Sequence, residues 1–165
     1  MRKLEVFFDY ACPYCHRGHG YLQKLIGDYP DVEIVWRPCE AHPRPERGPH
    51  SDICIQGMYY VLDHGANIWA YHDRMFKACL KDRIDFENID ALSDYVRDIV
   101  DEDGFRLSVS RGDYMKIQRQ GNDYAYEQCG VWAVPSYRMN GIVLDAVAGV
   151  GVTREQVKNL LGTGK

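Results

Sequence analysis

Two cysteines separated by two residues, set between a strand-like and a helix-like segment, leave this chain few folds to choose from. Residues 3–9, KLEVFFD, are dense in strand formers and short enough to be a buried strand. Cys12-Pro13-Tyr14-Cys15-His16 follows. From there Leu22, Leu25, Ile26 and Tyr29 recur at helical spacing, until GDYPD, residues 27–31, supplies turn residues. VEIVWR, residues 32–37, alternates and is rich in β-branched side chains, which reads as a second strand. Strand, helix and strand in about 35 residues suggest a βαβ unit, because a parallel return needs a crossover of that kind.

The pattern then changes character. PCEAHPRPERGPH, residues 38–50, is a long loop carrying Pro38, Pro43, Pro45 and Pro49. Helical periods follow it. Ile55, Met58, Tyr59 and Leu62 share one face; Ile68, His72, Met75 and Cys79 share another, flanked by Trp69, Phe76 and Leu80. Leu92, Tyr95, Val96 and Ile99 make a third, with Asn88 as N-cap and Gly104 as stop. A weaker helix is predicted from about Asp113 to Gln128. Strands return in SYRMNGIVLDA, where Asn140-Gly141 between two apolar runs is a strong hairpin signal. Thr153 and Gln156 are spaced for a capping box at the start of a closing helix. The expected division is residues 1–37 and 130–165 as one core, with 38–129 as an inserted helical subdomain.

Cys12 to His16 spells C-x-x-C-H, which admits c-type haem attachment, half a zinc site or a redox dithiol. A c-type haem needs a second axial ligand in a haem-wrapping chain; a strand running into the motif, with no export signal, argues against it. Zinc needs four ligands, yet there is no second C-x-x-C, and His16 and His19 follow Cys15 too closely for a usual finger. The dithiol reading accounts for the neighbours. Cys12 stands at a helix N-terminus, where unpaired N–H groups and the helix dipole stabilise a thiolate. Pro13 takes an early helical position, where a missing N–H costs little. Cys15 lies one turn deeper, near enough to attack a mixed disulfide formed on Cys12.

A distant stretch, GVWAVPSYRMNG, puts Val134-Pro135 just before a strand. Together with LEVFFDYACPYCHRG it resembles the DsbA-like branch of the thioredoxin superfamily. RMFKACLKDRIDFENIDAL and DAVAGVGVTREQVKNLL resemble its cytosolic, FrnE-like members. The resemblance spans nearly the whole chain and is strongest at the two motifs. It implies an α/β fold: a thioredoxin-like core, βαβ…ββα, with an inserted all-helical subdomain. It implies a thiol–disulfide oxidoreductase with Cys12 as nucleophile and Cys15 as resolving thiol. It also implies a cis Val134–Pro135 bond and a substrate-binding groove along Val134 and Pro135, beside Pro13 and Tyr14. Two departures stand out. Pro13-Tyr14 replaces the Pro-His of strongly oxidising periplasmic enzymes, so a cationic neighbour is missing. Where such enzymes often bury a carboxylate beneath the dithiol, the strand has Val6, and Asp9 is the nearest acidic residue.

The superfamily also holds glutathione-using isomerases of the 2-hydroxychromene-2-carboxylate isomerase type and kappa-type transferases. These share the inserted helices and act through glutathione's thiolate, generally without a dithiol. The presence of both Cys12 and Cys15 favours redox exchange, and an intact C-x-x-C speaks against a mere binding module on the same frame.

The remaining features are bland or excluding. A net charge of −4 without a basic stripe argues against a nucleic acid partner. No apolar run reaches membrane-spanning length. Arg2 and Lys3 imitate the start of a leader, but Glu5 and Asp9 interrupt the apolar run, so the expected location is cytoplasmic. That compartment favours reduction or isomerisation of protein or small-thiol disulfides. No metal or resident cofactor is expected; glutathione would be a co-substrate. Cys54, Cys79 and Cys129 read as buried core cysteines, and Cys39, at a strand end, could approach the site without anything local to activate it. His42, His50, His64 and His72 read as surface or packing residues; His16 and His19 could modestly bias the field at Cys12. Tyr71, Trp69 and Phe76 read as core.

Overall fold

The computed structural model describes residues 1–41 and 48–164. In it, β1 (Arg2–Phe8), α1 (Pro13–Leu25), a 3-10 turn at Ile26–Asp28 and β2 (Val32–Pro38) follow one another as the N-terminal pattern requires. The strands pair in parallel from Arg2↔Val32 to Phe8↔Pro38. The buried residues of α1 are Cys15, Gly18, His19, Leu22 and Leu25, one stripe at helical spacing, so the stripe that carries the core also carries the second cysteine.

Helices occupy the middle of the chain: α2 (Asp52–Asp63), α3 (Ile68–Leu80), α4 (Ile89–Tyr95), α5 (Glu102–Ser110) and α6 (Met115–Asp123). A π-helical turn, Tyr124–Gln128, extends α6. β3 (Ser136–Met139), β4 (Ile142–Asp145) and α7 (Arg154–Gly162) complete the chain. β3 lies antiparallel against β1, and β4 against β3, giving the sheet order β2-β1-β3-β4. Asn140 and Gly141 turn the hairpin with φ of 52° and 76°, both positive as a type I′ turn demands. The Thr153–Gln156 capping box is formed in both directions. The result is the expected α/β architecture, βαβ…ββα with helices inserted between β2 and β3.

One apolar core runs from the sheet into the inserted helices. Leu4, Val6 and Phe8 of β1 join Leu22 of α1, Ile55 and Met58 of α2, and Met75 and Phe76 of α3. Phe7 points the other way, as strand alternation requires, into a smaller cluster with Cys39, Ala125 and Val131.

Two expectations for the helical block need correction. Leu62 is 44% exposed, because the inward face of α2 runs through Cys54, Ile55, Met58 and Val61 and leaves its last turn to solvent. Gly104 stops nothing. Asn88 does cap α4, its side chain accepting from the Ala91 N–H, but that helix ends at Tyr95. Asp101 then caps α5, which sequence periodicity missed, by accepting from the Gly104 N–H at 3.2 Å. A side chain at Gly104 would meet the Tyr60 hydroxyl at 2.5 Å, so packing explains the glycine. His42, Pro43 and Pro45 lie outside the described residues. His72 is fully buried, His50 half-buried, and His64 exposed with its ring stacked on Tyr60.

Candidate active site

Cys12 is the N-cap of α1, in extended conformation, and Pro13 takes the first helical turn. This placement turns a sequence pattern into electrostatics. The Cys15 N–H donates to Cys12 Sγ at 3.3 Å. The Cys15 thiol itself, together with the backbone N–H groups of Cys15 and Tyr14, holds the Cys12 pKa below that of an ordinary thiol; burial and the nearby Asp9 carboxylate oppose them. Cys15, one turn deeper and 2% exposed, moves the other way. Burial raises its pKa well above the usual value, and its contact with Cys12 adds to the rise. A half-buried thiol that ionises readily thus sits on a buried one that does not.

Val134 and Pro135 arrive from the far end of the chain. Their peptide bond is cis, and the Cys12 thiol faces the Val134 carbonyl at 3.8 Å. Tyr14 lies against Arg17, whose guanidinium is 5.4 Å from the ring centroid and donates to the Val150 carbonyl. A side chain at Gly151 would strike Arg17 at 2.9 Å and Tyr14 at 3.0 Å, so the 147–151 loop closes tightly on this flank of the motif. All six residues expected at the site therefore border one region. Next to Val134, a groove of about 420 Å³ is lined by Ala41, Tyr126, Val131, Trp132, Ala133 and Val134 itself. Trp132 stands 68% exposed on its rim.

The sequence did not reveal how the turn before Cys12 is held. Asp9 is fully buried, and its carboxylate accepts from the Ala11 N–H at 3.0 Å, the Ala41 N–H at 2.7 Å and the Ser51 hydroxyl at 2.6 Å. It ties the end of β1 to the loop beyond β2 and to the start of α2. Every buried lone pair so used is satisfied, which is what lets a carboxylate remain in the interior. Its only advance signal was an acidic residue at the end of an apolar strand.

The other cysteines pack into the two apolar clusters or at their margins. Cys39 is buried in the smaller core cluster, and burial pushes its pKa up to about 12. Cys54 and Cys79 are buried, and Cys129 is half-buried at the margin of the Cys39 cluster. His16 stacks on Phe76, and His19 lies in the stripe facing the core, its Nε2 3.0 Å from Asp73 Oδ1. Among the described residues no three His, Cys, Asp or Glu side chains gather as a metal site needs.

Comparisons with known proteins agree with this geometry. The DSBA-like thioredoxin domain family model matches residues 3–52, which cover β1, the dithiol, α1 and β2. The chain is 22% identical to an uncharacterized protein of Bacillus subtilis (strain 168), YwbO, over 94% of this chain and 96% of that one. Among solved structures, a probable DsbA oxidoreductase from Streptomyces coelicolor superposes with a TM-score of 0.82 at 14% identity, over 98% of this chain and 88% of its own. A 2-hydroxychromene-2-carboxylate isomerase superposes with a TM-score of 0.68 at 15% identity, over 86% of this chain and 87% of its own. Residues 3–52 thus resemble a DSBA-like thioredoxin domain, and from end to end the chain shares the fold of the Streptomyces coelicolor structure.

Proposed function

We propose that the protein is a thiol–disulfide oxidoreductase in which Cys12 attacks and Cys15 resolves. The observation that carries this reading is the placement of Cys12 as the N-cap of α1, its sulfur accepting from the Cys15 N–H at 3.3 Å and facing the Val134 carbonyl, with the buried Cys15 thiol one turn deeper. The Cys12 thiolate attacks a substrate disulfide, forming a Cys12–substrate disulfide and expelling one substrate thiolate. Cys15 then attacks Cys12 Sγ and expels the second, so the substrate gains two electrons and the enzyme keeps a Cys12–Cys15 disulfide. The Val134 carbonyl edge and the groove under Trp132 would hold the chain around the substrate sulfur. Substrates on this reading are disulfides of proteins or small thiols in the cytoplasm, reduced or isomerised, with glutathione available as co-substrate. No helix among the described residues is long and apolar enough to cross a membrane.

Cys15→Ser should strand substrates on Cys12, giving adducts from cell extract that run large on a non-reducing gel and vanish with dithiothreitol. Cys12→Ser should trap nothing and lose reductase activity. The structural likeness to a 2-hydroxychromene-2-carboxylate isomerase favours one second reading, a glutathione-dependent small-molecule isomerase. That enzyme would need added glutathione, would act on an unsaturated substrate and would survive both cysteine changes.

A further inference from the structure

Resolution requires the Cys15 thiol to lose a proton in a place where burial opposes ionisation. The surroundings of Cys15 offer a group to receive it. Behind Cys15 lies a cavity of about 10 Å³ lined by Val6, Phe8, Cys15, His19, Trp36, Phe76, Pro135 and Tyr137. That volume is at the margin of what admits one water. The strand beneath contributes Val6, which has no proton to exchange. Tyr137 is fully lodged in the core, and burial pushes its pKa far up, so it cannot serve as a base. Asp9, though buried, spends its oxygens on Ala11, Ala41 and Ser51. His19 remains. It stands four residues after Cys15 in the buried stripe of α1, the spacing that places two side chains on one helix face. Its Nε2 meets Asp73 Oδ1 at 3.0 Å, and Asp73 is 53% exposed, so the ring bridges the cavity and the solvent.

We propose that His19 accepts the Cys15 proton during resolution and that Asp73 orients the ring and opens its path to water. The proposal rests on the dithiol reading above. In the step, the Cys15–Cys12 bond forms as the bond from Cys12 to the substrate sulfur breaks. The electron pair leaves with the substrate thiolate, and the proton moves from Cys15 Sγ to the imidazole and then to solvent. The charged or titratable neighbours of His19 are Asp73 and His72 of α3, Tyr137 of β3, and Cys15 and His16 of its own helix; β1 and β2 present only Val6, Phe8 and Trp36. Burial lowers the His19 pKa below the ordinary value, while Asp73 raises it and His16 lowers it further, so the ring is neutral and receptive near neutral pH.

Stopped-flow reaction of the reduced full-length protein with 5,5′-dithiobis(2-nitrobenzoate) separates the two steps. The first nitrothiobenzoate released reports attack by Cys12, and the second reports resolution by Cys15. In wild type the second release should slow as pH falls through the His19 pKa. His19→Gln should slow it about 10²-fold near pH 7 and replace that limb by a rate that climbs with hydroxide throughout. Asp73→Asn, at an exposed position, should move the limb to lower pH and decides the matter if His19→Gln does not fold. An unchanged rate and pH profile of the second release in Asp73→Asn, or in a folded His19→Gln, overturns the proposal and leaves the dithiol reading intact. A wild type that releases no second equivalent overturns both.

Discussion

Tyr14 decides how far the nucleophile's pKa can fall. Its backbone N–H already supports Cys12, but its ring is turned to Arg17 and the 147–151 loop and brings no charge to the sulfur. The alkylation rate of Cys12 by iodoacetamide should therefore titrate below the free-thiol value of about 8.5. Tyr14→His should lower that midpoint further, by about one unit if the added imidazolium contributes about 1.4 kcal/mol to the thiolate. An unchanged midpoint in the variant would show that backbone donors and Cys15 have already saturated the site. The residues named by sequence at this scale were the ones whose roles depend on near neighbours. Cys12, Pro13, Tyr14 and Cys15 lie in one helix end, and Val134-Pro135 was marked by its position before a strand. Ala41, Tyr126 and Trp132 were missed because their place at the groove comes from loops that meet only after folding. The Asp9 clamp was missed for the same reason: its partners lie 2, 32 and 42 residues away.

At the scale of elements, α1 must approach β3 closely to set Cys15 under Cys12, and Gly18 is where the two come together. A side chain there would meet the Tyr137 hydroxyl at 2.5 Å and Pro135 at 3.4 Å. Tyr137 is 1% exposed and has nowhere to retreat. Gly18→Ala should destabilise by about 1–3 kcal/mol as an overpacking change. Gly20→Ala, on the same helix with nothing within 4 Å of the new atom, should stabilise by about 0.5–1 kcal/mol. Urea unfolding of the two variants checks the pair of opposite signs. Elements were legible where one period or one turn signal specified them, as in β1, β2, the Asn140-Gly141 hairpin and the Thr153 capping box. The third helical face was not, because one apolar period over residues 92–99 ran across the end of α4 at Tyr95, and the Asp101 cap that starts α5 was not read.

For the whole molecule, the join between sheet and inserted helices contains two buried histidines, and this gives stability a pH dependence. His72 is fully buried against Tyr10, whose hydroxyl is 2.9 Å from Nδ1, and burial holds its pKa well below the ordinary value. His19 is lowered as well, by burial against the pull of Asp73. The unfolded chain therefore binds more protons than the folded one once pH falls below about 6.5, and stability must decline there. The slope should approach about 1.4 kcal/mol per pH unit for each histidine that stays neutral when folded. Asp98, held to a pKa of about 2 by Arg74, is still ionised in this window and adds nothing to the slope until the solution is far more acidic. Urea midpoints from pH 7.5 down to 5 should fall steadily; a flat profile would mean these rings charge without cost in the fold.

Redox titration of the whole protein against glutathione, with peptide mass mapping of the product, tests most directly whether Cys12 and Cys15 form a working couple. The thiolate is supported by the Cys15 thiol and two backbone N–H groups but by no cation, which places the expected potential in the glutaredoxin range of about −200 to −230 mV. The account predicts a reversible two-electron transition there, with Cys12 joined to Cys15 in the oxidised form. A protein that only gains glutathione on Cys12, and never closes the Cys12–Cys15 disulfide at any ratio of the buffer, would contradict it.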